Sequence, residues 1–228
     1  RSVPPIEVNE KPAFSSLVAG VKYATSRKDL MGTYLVDLSA MFFAMPTALF
    51  PFWADQVNAP WALGFFYAAG TIGSLLVTVT SGWVKSYTKH GRAIFLAALG
   101  WGVAITLAGL VNNLALILLF LILAGASDMV SGLFRSVLWN QSIPDEFRGR
   151  LAGVELISYS VGPLGGQTRA GFTAERTSLR TSVVSGGLLC IGFVLFFTAL
   201  LPDFRKYDSE SNKFAVSEAK KRKTAPNN

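Results

Sequence analysis

Five ionisable side chains stand inside long apolar stretches of this sequence: Asp37, Asp128, Arg135, Glu155 and Arg169. A charged side chain in the middle of a bilayer costs about 2.5–3.5 kcal/mol on insertion scales, so such a residue marks a functional site by default. Carboxylates in that setting can take up and release protons, and an arginine can hold or release a carboxylate. The pattern predicts proton-linked chemistry inside a membrane.

The spacing of these charges suggests how they pair. Asp128 and Arg135 are seven residues apart, so they share a helix face but lie about 10 Å apart along it, too far for a direct pair. Glu155 lies at a depth comparable to that of Arg135, and we predict an Arg135–Glu155 pair that closes one end of the bundle. Asp128 or Asp37 would then exchange the proton. The alternative is a static charge network, with Asp37 capping or pairing locally.

The apolar stretch around Asp37 also contains Pro46 and Pro51. A helix broken by proline at mid-membrane frees backbone carbonyls, which is tolerated where helices line a cavity. Phe42 and Met45 offer soft, adaptable apolar surface beside that break, which suits a small-molecule substrate. Tyr159, on a later stretch, adds a hydroxyl and an aromatic face, and simple packing is the alternative for it.

Six apolar stretches are long enough to place these residues in a bilayer, which needs about 20 apolar helical residues per crossing. Strands are excluded because the stretches are continuous and do not alternate with period two. The sequence therefore predicts an all-α integral membrane protein. Its six transmembrane helices are Leu30–Trp53, Trp61–Val84, Ala93–Val111, Leu114 to about Gln141, Leu151–Phe172 and Thr181–Leu201.

The basic residues between these stretches predict their orientation, since cytoplasmic loops are enriched in Lys and Arg. Of the 21 basic residues, only Arg176 and Arg180 fall in loops on one side, and Arg135 and Arg169 fall inside spans. All the others fall in the remaining loops and in the two ends of the chain. We therefore predict that both termini are cytoplasmic. The net charge of +7 is explained by topology and not by nucleic-acid binding.

Three regions follow from this pattern. Residues 1–29 form a cytoplasmic linker with an amphipathic helix at Ala13–Thr25, whose apolar residues recur at helical spacing and could lie on the membrane surface. Residues 30–202 form the membrane domain. Residues 203–228 form a polar tail with a basic run at Lys220–Lys223, which we predict to be disordered and to serve topology, attract anionic lipid or bind a partner.

Several classes of function are excluded by composition. A single cysteine, Cys190, leaves no internal disulfide or cysteine-based zinc site, and a single histidine, His90, leaves no histidine cluster for a metal. There is no activated nucleophile pair, no metal cluster and no phosphate-binding loop. The sequence therefore predicts that the protein is not an enzyme and binds no cofactor or metal. Its predicted partners are the lipid bilayer and a small-molecule substrate.

The fifth stretch is rich in small residues. Gly162 and Gly166 are separated by the spacing of closely packed membrane helices, and Pro163 beside them promotes a bend. We expect these three residues to govern helix packing.

Together these features resemble the C-terminal half of a major facilitator superfamily transporter, in the efflux group that includes enterobactin exporters and related drug exporters. The resemblance runs from the amphipathic helix to about Arg205, and its strongest part is Ser127 through Gly153 to Pro163. Gly82, Gly91 and Arg92 are similar to the superfamily's loop motif, although Ser86 stands at its usually acidic position. Gly162 to Gly166 are similar to the glycine–proline motif of antiporters.

The resemblance implies two three-helix repeats, which make up half of a 12-helix fold, and a substrate bound between two halves. The partner would be an N-terminal six-helix half or a second copy of this chain. The implied function is export of a small organic molecule, such as a siderophore or drug, by proton antiport across a bacterial inner membrane. The alternative is a stand-alone six-helix membrane protein acting as a homodimer or scaffold without transport.

Overall fold

The computed structural model describes residues 13–224, with side chains from Val18 onward except those of 157 and 223. Within that range the regular elements are helices, without strands. The ten α-helices are α1 Ala13–Ser26, α2 Lys28–Phe43, α3 Phe50–Gln56, α4 Leu63–Val79, α5 His90–Leu110, α6 Leu114–Ser142, α7 Asp145–Arg176, α8 Leu179–Leu200, α9 Pro202–Arg205 and α10 Lys213–Thr224.

The predicted break in the first apolar stretch is present. Helix α2 stops at Phe43, and a 3₁₀ turn at Thr47–Leu49 leads into α3. Pro46 has no backbone N–H to donate and so cannot continue the hydrogen-bond ladder of α2. Pro51 falls in the first turn of α3, where a missing N–H costs nothing. The two prolines therefore stop one helix and start the next.

Five stretches of the described residues are long and apolar enough to cross a membrane: Lys28–Gln56, Pro60–Val79, His90–Leu110, Leu114–Ser142 and Leu179–Leu200. They match five of the six predicted spans. The second span was predicted to reach Val84, but α4 ends at Val79 and a 3₁₀ turn at Ser81–Ser86 follows. The remaining predicted span, in α7, is helical but falls outside this set, because glycines, hydroxyl residues and charges dilute its apolar content.

Packing places the long helices in a single bundle. Helix α5 packs against α6 and α8, α4 packs against α6, and α2 packs against α7 and α8. Small residues permit the closest crossings, since a methyl group at Gly73 of α4 would overlap the backbone of Ile122 in α6. One at Gly125 of α6 would likewise overlap Gly70 of α4. The core therefore runs through the whole bundle.

The end of the bundle formed by α1, the α6–α7 turn and residues 202–224 is called the basic end below. The tail was predicted to be disordered, but α9 and α10 are ordered helices there, with residues 225–228 outside the described range. Phe204 and Tyr207 are fully buried and Ala215 is buried, while Arg222 donates to the carbonyl of Asn140 at 2.8 Å. The tail is ordered because these few apolar anchors and helix-end carbonyls hold it.

The predicted amphipathic helix is present as α1. It packs on the bundle through Gly20, against the backbone of Arg150, and through Tyr23, whose ring stacks on Phe147 at 4.2 Å. Val18 and Val21 on its other face are about half exposed. The membrane-surface position stays a prediction, and the Pro-containing linker before α1 lies outside the described residues.

Candidate functional site

A buried ion pair joins α2 and α6. Asp37 and Arg135 form a salt bridge, and the two residues are 5% and 3% exposed. Arg135 was predicted to pair with Glu155, so that prediction is wrong. Depth along the bundle does place Glu155 near Arg135, but depth carries no information on the direction in which each side chain leaves its helix. Asp37 lies on the buried face of α2 together with Val36 and Ala40.

Further groups surround this pair. The guanidinium carbon of Arg135 lies 5.8 Å from the centre of the Tyr159 ring, within cation–π range. Asp128 and Glu155 both interact electrostatically with Arg135. The Nε of Arg135 is buried without a hydrogen-bond acceptor. Among the described residues, Asp37 is therefore the one carboxylate in contact with this guanidinium, and Asp128 and Glu155 lie within electrostatic range of it.

Asp128 lines a cavity of about 300 Å³. The broken segment after α2 supplies one wall, with Met45, Pro46 and Thr47. The rest of the lining is mostly aromatic and small, including Phe50, Phe66, Tyr67, Trp101 and Ser74. Asp128 forms no salt bridge with any residue that the structure describes. The cavity thus joins one carboxylate, a helix break and several aromatic rings.

Not all predicted pathway residues reach this cavity. Met45 and Asp128 line it together, whereas Phe42 is 37% exposed and packs edge-on against Phe43 at 5.1 Å. Glu155 lines a separate cleft of about 200 Å³ near the basic end, with Tyr34, Trp139 and Arg148. Tyr159 stays beside Arg135.

Two residues that the sequence did not single out support the ion pair. The indole Nε1 of Trp139 donates to the Thr33 hydroxyl at 3.1 Å, and its ring stacks on Tyr34 at 5.1 Å. Thr33 is four residues before Asp37 and Trp139 is four residues after Arg135, so the two contacts connect the same helix pair one turn away. The sequence did offer a signal for this contact, because a buried indole usually finds a hydrogen-bond acceptor and the Thr33 hydroxyl lies at a matching depth.

The glycines of α7 lie against α2. A Cβ at Gly162 would come within 3.2 Å of the Met41 Cβ, and one at Gly166 would overlap the Met41 carbonyl. Pro163 stands inside α7 between them. This close approach positions the helix that carries Asp37.

The loop-motif residues lie apart from the ion pair. Gly82 has open space around it, and Arg92 is exposed. Gly91 is buried where α5 begins, and a methyl group there would overlap the Phe204 carbonyl of α9. In this chain the motif glycine therefore packs against the tail.

In the described part of the chain, no group of three His, Cys, Asp or Glu residues could hold a metal ion. Cys190 is a buried free thiol.

Known proteins share this sequence over nearly its whole length. The enterobactin exporter EntS of Escherichia coli O1:K1 / APEC is 28% identical over 220 residues, which cover 95% of this chain and 52% of the exporter. The Shigella flexneri protein of the same name is 29% identical over 218 residues, with 95% and 51% coverage. Both of these similar proteins are named as enterobactin exporters.

The chain spans about half the length of these curated relatives. No family model and no solved structure matches it. The apolar helices indicate a multi-pass membrane protein. The predicted resemblance is confirmed.

Proposed function

We propose that this chain is one half of a secondary transporter that exports a siderophore, or a similar small organic molecule, in exchange for protons. The observation that carries the proposal is the buried Asp37–Arg135 pair, close to a third charge, Asp128, that lines a cavity. Buried charges inside spans are costly and are retained where ions or substrates pass. The names of the relatives supply the substrate class.

Helix α7 is proposed as the sixth span. Its 32 residues extend about 48 Å at 1.5 Å per residue, longer than the hydrocarbon core. It lies against α2 and α8 and carries Glu155 and Tyr159. A helix that lines a watery interior needs less apolar surface than one that faces lipid on all sides.

The packing pattern favours two three-helix repeats. If α2 is exchanged with α6, α4 with α7, and α5 with α8, the contact of α2 with α7 becomes that of α6 with α4. The contact of α2 with α8 becomes that of α6 with α5, and the contact of α5 with α8 is unchanged. All of these contacts are present, whereas the contacts of α7 with α8 and of α2 with α5 have no counterpart of similar extent. Repeats related in this way are typical of transporter halves with a substrate site near the bilayer midplane.

The charge cluster offers a simple coupling step. A proton on Asp37 would neutralise the carboxylate and remove its attraction to Arg135, which would then be free to turn toward Asp128. Because the cluster holds three carboxylates and one guanidinium, it can accept that proton without becoming net positive. Loss of the pair would weaken the link between α2 and α6, and α2 leads into the broken segment that walls the cavity. Protonation would in this way be linked to cavity shape.

A second half would complete the cavity. The partner would be an N-terminal six-helix half or a second copy of this chain, facing the side of the bundle that carries Tyr159. The basic loops favour cytoplasmic termini, and the bacterial relatives favour a bacterial inner membrane.

The test is siderophore export by the transporter with its partner half, produced in a strain without its own exporter. We expect export that a protonophore abolishes, and that Asp128→Asn reduces at least about tenfold by removing a titratable group from the cavity. Asp55→Asn is the matched control, because Asp55 is an exposed carboxylate at the end of α3.

Three results would contradict the proposal. One is unchanged secretion of siderophore with or without the gene. Another is export that persists without a proton gradient. The third is equal export by the Asp128→Asn and Asp55→Asn variants at equal membrane abundance.

A further inference from the structure

The break after α2 leaves carbonyl groups that the helix itself cannot satisfy. The last carbonyls of any helix lack an intrahelical partner, and at Phe43 the proline-containing segment supplies none. In lipid such groups cost several kcal/mol each unless another part of the protein satisfies them. The Phe43 carbonyl therefore needs a donor from elsewhere in the bundle.

Arg169 of α7 is that donor. Its Nη2 lies 2.7 Å from the Phe43 carbonyl oxygen. A guanidinium is also the favourable charge here, because the C-terminus of a helix carries a partial negative charge. Arg169 forms no salt bridge with a carboxylate among the described side chains, and its Nε is buried without an acceptor. Among the described residues, its hydrogen-bond acceptor is the Phe43 carbonyl at the end of α2.

The surrounding packing fixes this contact in place. Gly186 of α8 lies against both groups, since a Cβ there would overlap the Phe43 carbonyl and come within 2.6 Å of the Arg169 guanidinium. Gly166, one turn before Arg169, lies against the Met41 carbonyl. Two helices thus leave room at the break for one arginine and little else.

The contact leads directly to the cavity. Residues 45–47, which follow the break, form one wall of the space that Asp128 lines, and α7 packs on the turn Thr47–Leu49. We propose that Arg169 is a positioning residue: by holding the C-terminal end of α2, it sets the place of this wall and so the affinity for the exported molecule. The proposal rests on the function proposed above for the cavity.

The experiment replaces Arg169 and a matched arginine in the transporter with its partner half. Arg180 is the control, because its Nη2 also donates to the last carbonyl of a helix, that of Leu110 at 2.6 Å, but at an exposed end far along the chain from the break. We compare Arg169→Gln, Arg169→Lys and Arg180→Gln. A lost hydrogen bond to a charged group corresponds to about ten- to a hundredfold.

Two readouts separate the possible failures. The first is the reaction rate of a maleimide with a Thr47→Cys reporter in a Cys190→Ser background, which needs no transport. Arg169→Gln raises this rate about tenfold or more, Arg169→Lys restores much of the difference, and Arg180→Gln leaves the rate unchanged. The second is export kinetics, in which Arg169→Gln raises KM with a smaller change in maximal rate.

The outcomes divide clearly. Equal maleimide rates for Arg169→Gln and Arg180→Gln overturn the positioning role, whatever export does. Altered rates together with an unaltered KM overturn the link to affinity. Altered rates in a protein that exports nothing leave Arg169 as the residue that holds the break, and reject the exporter function.

Discussion

Among the described residues, two buried Arg–Asp pairs are built differently. At the basic end, Arg27 holds Asp29 through two hydrogen bonds of 2.9 and 2.7 Å, donates to Tyr23 and to the Ser142 carbonyl, and stacks on Phe214 at 3.4 Å. Four of the five N–H donors of this guanidinium therefore have acceptors, and its face is covered by the Phe214 ring. A pair with this many partners ties α1, α2, α6 and α10 together.

The pair inside the bundle is less complete. Arg135 holds Asp37, but its Nε has no acceptor and two further carboxylates lie near it. Arg135 could exchange Asp37 for another nearby carboxylate at little cost in free energy. Arg27 would lose several hydrogen bonds at once if it left its present position. The difference teaches that burial alone does not distinguish a structural ion pair from a functional one. We expect the two kinds of pair to differ in how many N–H donors of the arginine lack an acceptor.

The largest expected effect comes from removing the inner arginine. Arg135→Gln leaves buried carboxylates without their cation, and breaking such a pair costs about 3–5 kcal/mol. If that cost falls on the transport cycle, export per folded molecule drops about a thousandfold. Export assays normalised to folded protein by fluorescence-detected size exclusion measure this. Arg27→Gln, treated alike, should change export per folded molecule less than about threefold, and the reverse order would break the comparison.

The outer pair should instead affect stability. Asp29→Asn removes the anion from a buried guanidinium, and we expect the free energy of unfolding to fall by about 3 kcal/mol. Thermal unfolding in detergent gives the change. The comparison is weakened if Asp29→Asn alters the KM or the proton dependence of export in the surviving folded protein.

A smaller effect is expected at Phe214. Its ring lies 3.4 Å from the Arg27 guanidinium carbon, and a desolvated cation–π contact contributes about 2 kcal/mol. Phe214→Leu keeps an apolar side chain but loses the contact, so hydrogen exchange of α10 should quicken by roughly thirtyfold. Val216→Ala on the exposed face of the same helix is the control. Equal exchange in the two variants would remove α10 from the outer cluster.

The smallest effect concerns Tyr207, which packs beside this cluster outside the spans. Burial raises the pKa of its hydroxyl to about 12. Because the folded state keeps a proton that the unfolded state loses near pH 10, stability is full below pH 10 and falls as the pH rises toward 12. At pH 11 the loss is about 1.4 kcal/mol.

The check is the difference between the natural protein and Tyr207→Phe. Unfolding curves for the two should diverge between pH 10 and 12 and agree in their pH dependence below 9. A natural protein that loses no more stability than Tyr207→Phe over that interval would contradict the burial of this hydroxyl.

The pKa of Arg27 reflects its bonds to Asp29. Burial by itself lowers the pKa of this guanidinium, but the hydrogen bonds and charge of Asp29 outweigh that and hold the pKa above its ordinary value. The Arg27 guanidinium therefore stays charged in the folded protein.

Much of this could be predicted from residue types and spacing. The proline break, the helical stretches and the functional candidacy of Asp37 and Arg135 all follow from lipid excluding charge and unpaired backbone. The partner of Arg135 could not be predicted, because sequence gives depth along a helix but not which helix faces which. Arg169 was visible as a charge in an apolar stretch, yet its acceptor is a backbone carbonyl, which leaves no signal in side-chain spacing.

The tail escaped prediction for a related reason. Its order depends on a few contacts, such as Phe214 on Arg27 and Arg222 on helix-end carbonyls, that exist only once the bundle has formed. A polar segment of low apolar content is ordinarily disordered because it cannot offset its own ordering entropy. Here the bundle provides the partners.

The most direct measurement is the proton exchanged when substrate binds. The transporter with its partner half, in weakly buffered detergent solution, is mixed with siderophore while the pH is followed. The account predicts release of about one proton per molecule bound, loss of that release in an Asp37→Asn, Asp128→Asn double variant, and unchanged release in Asp29→Asn. Full proton release from the double variant, with binding intact, would contradict it.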